Sequence, residues 1–162
     1  MNDISISAAE NTSANTIIGK IEATDNDQGD RLTYEIVSGN SSGLFAIDAS
    51  SGNISLTSSL DYEQVTNFLL IVRATDSGSA SVTANANILV IDVNDSTPLF
   101  SQTNYSEAIN NNSEIGTTVL QVNAFDNDAS ANFRSITYAI MNGDDDNRFT
   151  INSSDGVIKT AK

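Results

Sequence analysis

The side chains in this sequence with the capacity for chemistry are carboxylates, and they are grouped. Glu10, Asp25 with Asp27, Asp61 with Glu63, Asp76, Asp92 with Asn94 and Asp95, and Asp126 with Asp128 all fall at the ends of apolar runs or in turn-prone stretches. Calcium takes about six to eight oxygen ligands from carboxylates, side-chain amides and backbone carbonyls, in flexible geometry. An Asp-x-Asp in an extended turn brings two carboxylates near one point, and an Asp-x-Asn-Asp offers side-chain oxygens from three of four residues. A single Asp-x-Asp reads more readily as a solvated turn or cap, so any signal lies in the set. With no His and no Cys in the chain, the usual nitrogen and sulfur ligands of zinc are missing. No loop carries the ligand series, Gly and closing Glu of an EF-hand.

The elements that must position these acids are strands. Leu32, Tyr34 and Ile36 alternate with Thr33 and Glu35; Phe68, Leu70, Val72 and Ala74 share one face; Ala84, Ala86, Ile88 and Val90 alternate with Thr83, Asn85 and Asn87. A period of two with one polar side indicates half-buried antiparallel strands. Turn-prone stretches separate them at Asp25 to Asp30, Ser38 to Gly43, Ala49 to Gly52 and Asp76 to Ser79. No segment has a convincing helical period. Several short strands within about 95 residues suggest a two-sheet sandwich.

The chain also repeats itself. Ile21 to Asp27 (IEATDND) returns as Val122 to Asp128 (VNAFDND), and Leu32 to Ile36 (LTYEI) returns as Ile136 to Ile140 (ITYAI). Phe45 to Asp48 followed by Gly52 to Ile54 returns as Phe149 to Asn152 followed by Gly156 to Ile158. The offset is 101 at Asp25/Asp126 and 104 at Phe45/Phe149. A period of this length means tandem domains rather than a short-repeat solenoid. The counterpart of Leu60-Asp61-Tyr62-Glu63 would begin beyond Lys162, so the second copy corresponds to only the first part of a domain.

Composition narrows the function. Of 162 residues, 21 are acidic and 7 basic, a formal net charge of −14. That balance argues against nucleic acid and anionic lipid as partners, which need basic patches, and suits a binder of cations. With 39% of residues apolar, many in alternating runs, the chain can build a core and is not read as disordered. Small extracellular domains without Cys need another staple, such as a metal. No apolar run approaches the length of a membrane span and no signal peptide is visible, so Met1 is expected to start an excised piece of a larger protein.

Taken in order, Glu10, Asp25-Asn26-Asp27, Leu60-Asp61-Tyr62-Glu63, Ala74-Thr75-Asp76 and Asp92-Val93-Asn94-Asp95, then Pro98 and Phe100, closely resemble the cadherin repeat. The resemblance covers residues 1–97 as a complete repeat and 98–162 as the N-terminal part of a second. It implies an all-β, seven-stranded Greek-key sandwich of the cadherin and immunoglobulin-like kind, with Ca²⁺ held where successive repeats meet. By resemblance, the junction ligands are Glu10, Asp61, Glu63, Asp92, Val93, Asn94, Asp95, Ser96, Asp126 and Asp128. Glu10, Asp61, Glu63 and Asp95, with Asp128 reaching across, would hold the inner ions. Asn94, Asp126 and Asp128 would hold the outer one, and Val93 and Ser96 would add backbone carbonyls. Asp25, Asp27 and Asp76 form a matching half-site in the first repeat, expected to be empty or loosely occupied. The sequence departs from the family pattern at Ser96, where the linker usually has a second Asn. It also has Asn111 about where the second copy would place its own Glu, and it has no second-copy counterpart of Asp76. The outer site is therefore expected to be weak, water-completed or empty.

The function so implied is a calcium-dependent adhesion and scaffold module, extracellular or at the cell surface, in which the ions stiffen tandem domains for homophilic or matrix attachment. The Asn- and Ser-rich composition and the lack of a Trp anchor suggest a bacterial protein. Half a sandwich exposes apolar surface and sheet edges, so self-association by strand exchange or edge pairing through the second copy is expected. An alternative is calcium-dependent binding of polysaccharide, with Tyr62, Tyr105 and Phe133 as stacking candidates. An enzyme is not expected. Asp61 with Glu63 could be imagined as a glycosidase pair, but these acids match the metal constellation, and no His is present to serve a Ser nucleophile.

Overall fold

The computed structural model describes residues 1–27 and 31–162. The stretch expected to turn over Asp25 to Asp30 is thus described only as far as Asp27; Gln28, Gly29 and Asp30 lie outside the described residues. The chain divides into two compact units, Met1–Val93 and Asn94–Lys162. All twelve regular elements among the described residues are strands.

The first unit is a two-sheet sandwich. Strands β1 (Ile4–Ala9), β7 (Ser81–Ile91), β6 (Asn67–Thr75) and β3 (Thr33–Ser38) form one sheet in that order. Strands β2 (Ile17–Lys20), β5 (Asn53–Leu56) and β4 (Phe45–Ile47) form the other. The alternating runs act as expected: β6 pairs antiparallel with β7, Leu70 opposite Ala86 and Val72 opposite Ala84. It also pairs antiparallel with β3, Tyr34 opposite Ala74. Their inward residues Leu70, Val72, Ala84, Ala86, Ile88 and Val90 are buried together with Ile54 and Leu56 of the facing sheet and with Ile21, Phe45 and Leu60. β1 instead runs parallel to β7, Ile6 opposite Ile88. The Asp76 to Ser79 turn joins β6 to β7: the Asp76 carboxylate accepts the Ala80 N–H at 2.8 Å, and Ser79 takes a φ of 74°.

The second unit repeats part of this frame. β9 (Thr118–Gln121), β12 (Val157–Thr160) and β11 (Phe149–Ile151) form a sheet ordered β11-β12-β9, matching β4-β5-β2. β8 (Leu99–Phe100) pairs antiparallel with β10 (Ala124–Phe125). The repetition extends to individual hydrogen bonds. Tyr34 Oη accepts the Ala23 N–H at 3.0 Å, and Tyr138 Oη accepts that of Ala124 at 2.9 Å. Ile21 N–H reaches Gly52 O at 3.0 Å, and Val122 N–H reaches Gly156 O at 3.0 Å. Gly52 and Gly156 both sit at positive φ, 71° and 70°. A Cβ at either would lie 2.2 Å from Ile21 O or 2.3 Å from Val122 O, so backbone approach requires glycine here.

One repeated motif behaves differently. Residues 136–140 alternate like β3 but form no strand. In the first unit β3 is paired with β6, and the described residues of the second unit include no counterpart of β6. A strand needs a ladder partner, and alternation alone does not supply one. Ile140 and Met141 are consequently exposed, Met141 to 87%, beside a hollow of about 510 Å³ between residues 138–142 and Phe149–Ile151.

Candidate metal centre

In the first unit Glu10 is the organising acid. It follows β1, where its N–H continues the ladder to Ile91 O at 3.1 Å. The residue is buried, 2% exposed. Oε2 accepts the Tyr62 N–H at 2.6 Å and Oε1 accepts the Val93 N–H at 2.8 Å. One carboxylate therefore ties the end of β1, the turn after Leu60 and the exit from β7. Buried Leu60 anchors that turn in the core, which sets Asp61 and Glu63 on either side of the clamped Tyr62 N–H. Asp92 precedes the clamped Val93 N–H. Glu10, Asp61, Glu63, Asp92 and Val93 are thus gathered on one end of this unit.

Asp61 also has a local structural role. Its Oδ1 accepts the Gln64 N–H at 2.9 Å, its Oδ2 bonds the Gln64 side-chain amide, and its carbonyl accepts the Val65 N–H at 3.0 Å. It caps a single helical turn. The clamp at Glu10 was not readable from the sequence, since Glu10 lies 52 residues from Tyr62 and 83 from Val93 and no spacing rule connects them; the cap had a local signal, Asp61 followed three residues later by Gln64.

In the second unit the Asp-x-Asp folds into a compact turn. Asp126 Oδ1 accepts the Asp128 N–H at 3.0 Å, and Asp128 Oδ1 accepts the Ser96 N–H at 3.0 Å. Ser96 is thereby held against Asp128. Asp128 is 0% exposed, and its Oδ2 is buried with no hydrogen-bond donor. Among the described residues the ion pairs are Lys20–Glu22, Arg73–Glu35 and Arg148–Asp146, none involving Asp128. A buried carboxylate oxygen without a donor is unfavourable unless a cation or proton meets it. With no His or Cys in the chain, the side-chain ligands available to such a cation are oxygens, which fits a hard cation such as Ca²⁺.

The half-site in the first unit has the same local turn, with Asp25 Oδ1 accepting the Asp27 N–H at 2.8 Å. Asp25 and Asp76 line one cleft of about 180 Å³ with Ala23, Leu32 and Ala80. Here, however, Asp25 and Asp27 are exposed, and Asp27 has no counterpart of the Ser96 contact among the described residues. The two copies of one motif therefore differ in burial, a difference the motif itself does not encode.

The aromatic residues considered for sugar stacking are engaged elsewhere or partly covered. Tyr62 packs against the core of the first unit. Tyr105 Oη bonds Ser101 Oγ and donates to Asn123 O, and its ring meets Phe100 edge-on at 6.2 Å. Phe133 is half-buried.

A family model described as "Cadherin domain" matches residues 4–92 and 105–162. Protocadherin Fat 4 of Homo sapiens is 38% identical over 156 residues, covering 94% of this chain and 3% of that protein. Protein dachsous of Drosophila melanogaster is 40% identical over 157 residues, covering 94% of this chain and 4% of that protein. The chain therefore spans only a few per cent of the length of these relatives. Among solved structures, mouse cadherin-23 EC22-24 superposes with a TM-score of 0.86 at 29% identity, covering 100% of this chain and 52% of that one.

Proposed function

Because the chain belongs to the cadherin domain family, we propose that it is a calcium-binding adhesion and scaffold module, with residues 1–97 one complete repeat and 98–162 the N-terminal part of the next. Glu10, Asp61, Glu63, Asp92, Asn94, Asp95, Asp126 and Asp128 would supply side-chain oxygens, and Val93 and Ser96 backbone carbonyls. The observation that carries this reading is Asp128 Oδ2, buried without a donor inside the repeated Asp-x-Asp. Bound Ca²⁺ would supply the positive charge that lets these carboxylates lie close together. The protein's own part is to hold them: Glu10 through two backbone N–H groups, Asp128 through Ser96. Asp25, Asp27 and Asp76 form a weaker half-site, since Asp25 and Asp27 are exposed.

The setting proposed is the cell surface or extracellular space, where millimolar Ca²⁺ matches the affinity of such modules, on the order of 10⁻⁴ to 10⁻³ M. Among the described residues no helix is long and apolar enough to cross a membrane. The relatives reported above are animal proteins, and a bacterial source gains no support from them. Self-association is part of the proposal and rests on the unladdered, apolar 136–141 edge; a protocadherin relative has been solved as a cis-dimer. A folded, strictly monomeric 98–162 fragment would remove that part alone.

The central test is melting of the full chain in chelator and at increasing Ca²⁺, with Mg²⁺ as control. An ion that binds only the native state should stabilise it by about 2.7 kcal/mol at a hundredfold excess over its dissociation constant. Asp95→Ala should remove most of that rise. A wild-type melting curve indifferent to millimolar Ca²⁺ would end the proposal.

A further inference from the structure

We propose that Asn142 is a site of spontaneous covalent modification, losing its side-chain amide through a succinimide formed with the backbone nitrogen of Gly143. Asn142–Gly143 is the single Asn-Gly pair in the sequence. Cyclisation requires the nitrogen of the following residue to reach the Asn side-chain carbonyl carbon. That nitrogen must be free to give up its proton, and the backbone between them must be able to rotate. A following glycine removes the Cβ that would crowd the attack.

Each requirement is met here. Asn142 and Gly143 are both exposed. Gly143 has a φ of 85°, and nothing lies within 4 Å of where a Cβ would stand. Among the described residues neither the Asn142 side chain nor the Gly143 N–H makes a hydrogen bond. The residues just before it, 136–141, are held by no strand ladder, so rotation there breaks no sheet pairing.

The rest of the chain provides internal controls. Asp155–Gly156 is the single Asp-Gly pair, and the same ring closure would isomerise its Asp. Its nitrogen is locked, because the Gly156 N–H donates to Asn152 O at 3.0 Å. Gly156 also packs against Val122, and Asp155 Oδ1 is occupied by the Val157 N–H at 3.0 Å. Asn40 and Asn152, each followed by Ser, have side chains tied into their own turns: Asn40 to Phe45 N–H and O, and Asn152 to Ser154 and Asp155.

The chemistry balances without a co-reactant other than water. Base removes the Gly143 N–H proton, and the nitrogen bonds to Asn142 Cγ as the Cγ–Nδ2 bond breaks, releasing ammonia. Water then opens the ring: attack at the side-chain carbonyl gives Asp, and attack at the Asn142 main-chain carbonyl leaves the chain linked through the side-chain carbon as isoaspartate. The product carries a new negative charge two to four residues from Asp144, Asp145 and Asp146, on an already acidic loop.

The test is incubation of the full folded chain in mildly alkaline buffer, followed by peptide mapping with mass spectrometry and an isoaspartate-specific methyltransferase assay. Asn142 should lose its amide before any other Asn, with methyl acceptance appearing in the same peptide, and Asn142→Gln should abolish both signals because its ring closure is disfavoured. Asp155 should remain unisomerised in the folded chain and isomerise in the urea-unfolded one. Amide loss at another Asn first, or folded-state isomerisation of Asp155 as fast as loss at Asn142, would overturn the proposal.

Discussion

Replacing Glu10 by Ala is the sharpest perturbation of the first unit's architecture. Glu10 is 2% exposed, and its carboxylate is the acceptor for two backbone donors, Tyr62 N–H and Val93 N–H. Truncation leaves both donors without that acceptor and opens space where the side chain lay. An unsatisfied buried donor costs about 1–3 kcal/mol. Tyr62 and Val93 are only half-buried, so water can partly compensate, and the pair together should lose about 2–3 kcal/mol. For a unit of this size that lowers the melting temperature by roughly 10–20 °C. The measurement belongs in chelator, so that no bound ion contributes, and hydrogen exchange at the amides of Tyr62 and Val93 gives a local readout. Both amides should exchange faster in Glu10→Ala. Glu10→Gln keeps one carbonyl acceptor and turns an NH₂ toward the other donor, so it should fall between the two. If Glu10→Ala melts with the wild type and both amides stay protected, the clamp is not what joins these three segments.

Further expectations follow from single contacts. Tyr34→Phe and Tyr138→Phe each delete the same hydroxyl bond in one copy and should each destabilise by about 0.5–1.5 kcal/mol, measured by denaturant titration; an effect in only one would show that the frames are not equivalent. Gly52→Ala combines a φ of 71° with a Cβ 2.2 Å from Ile21 O and should destabilise by more than about 1 kcal/mol. The Asp48 carboxyl is lowered from its ordinary 3.8 to about 2, first by the Ser50 hydroxyl, then by the backbone N–H groups of Ser51 and Ser50. A depressed carboxyl stabilises above its unfolded value and loses that contribution as pH falls through the folded one. Acid titration of wild type against Asp48→Asn should therefore diverge above about pH 4 and converge toward about pH 2, and parallel curves throughout would contradict it.

The sheet faces were legible in the sequence because burial on one side imposes a period of two. Leu70, Val72 and Ala74 on β6, and Ala84 to Val90 on β7, announce their inward face directly. Partner and direction were less legible. Ile4 and Ile6 mark the face of β1, yet nothing local says that its neighbour β7 runs parallel. Ile136 to Ile140 carries the alternation of β3 and still forms no strand, because pairing is a property of the neighbour as well as of the segment. At the candidate metal centre, the acids proposed as ligands were legible in residue type and order. The clamp by Glu10 and the burial of Asp128 were not, since both depend on backbone donors far away in sequence or in a different turn.

The two copies of the frame also differ in one count. Six residues separate Asp27 from Tyr34, and nine separate Asp128 from Tyr138, although both tyrosines close onto equivalent alanine amides. Three additional residues are absorbed in that connection while the flanking contacts keep their lengths. Lengthening a loop adds little closure entropy, so the connection from Asp128 to Tyr138 should accept a spliced epitope or reporter while the tyrosine keeps its bond to the Ala124 amide.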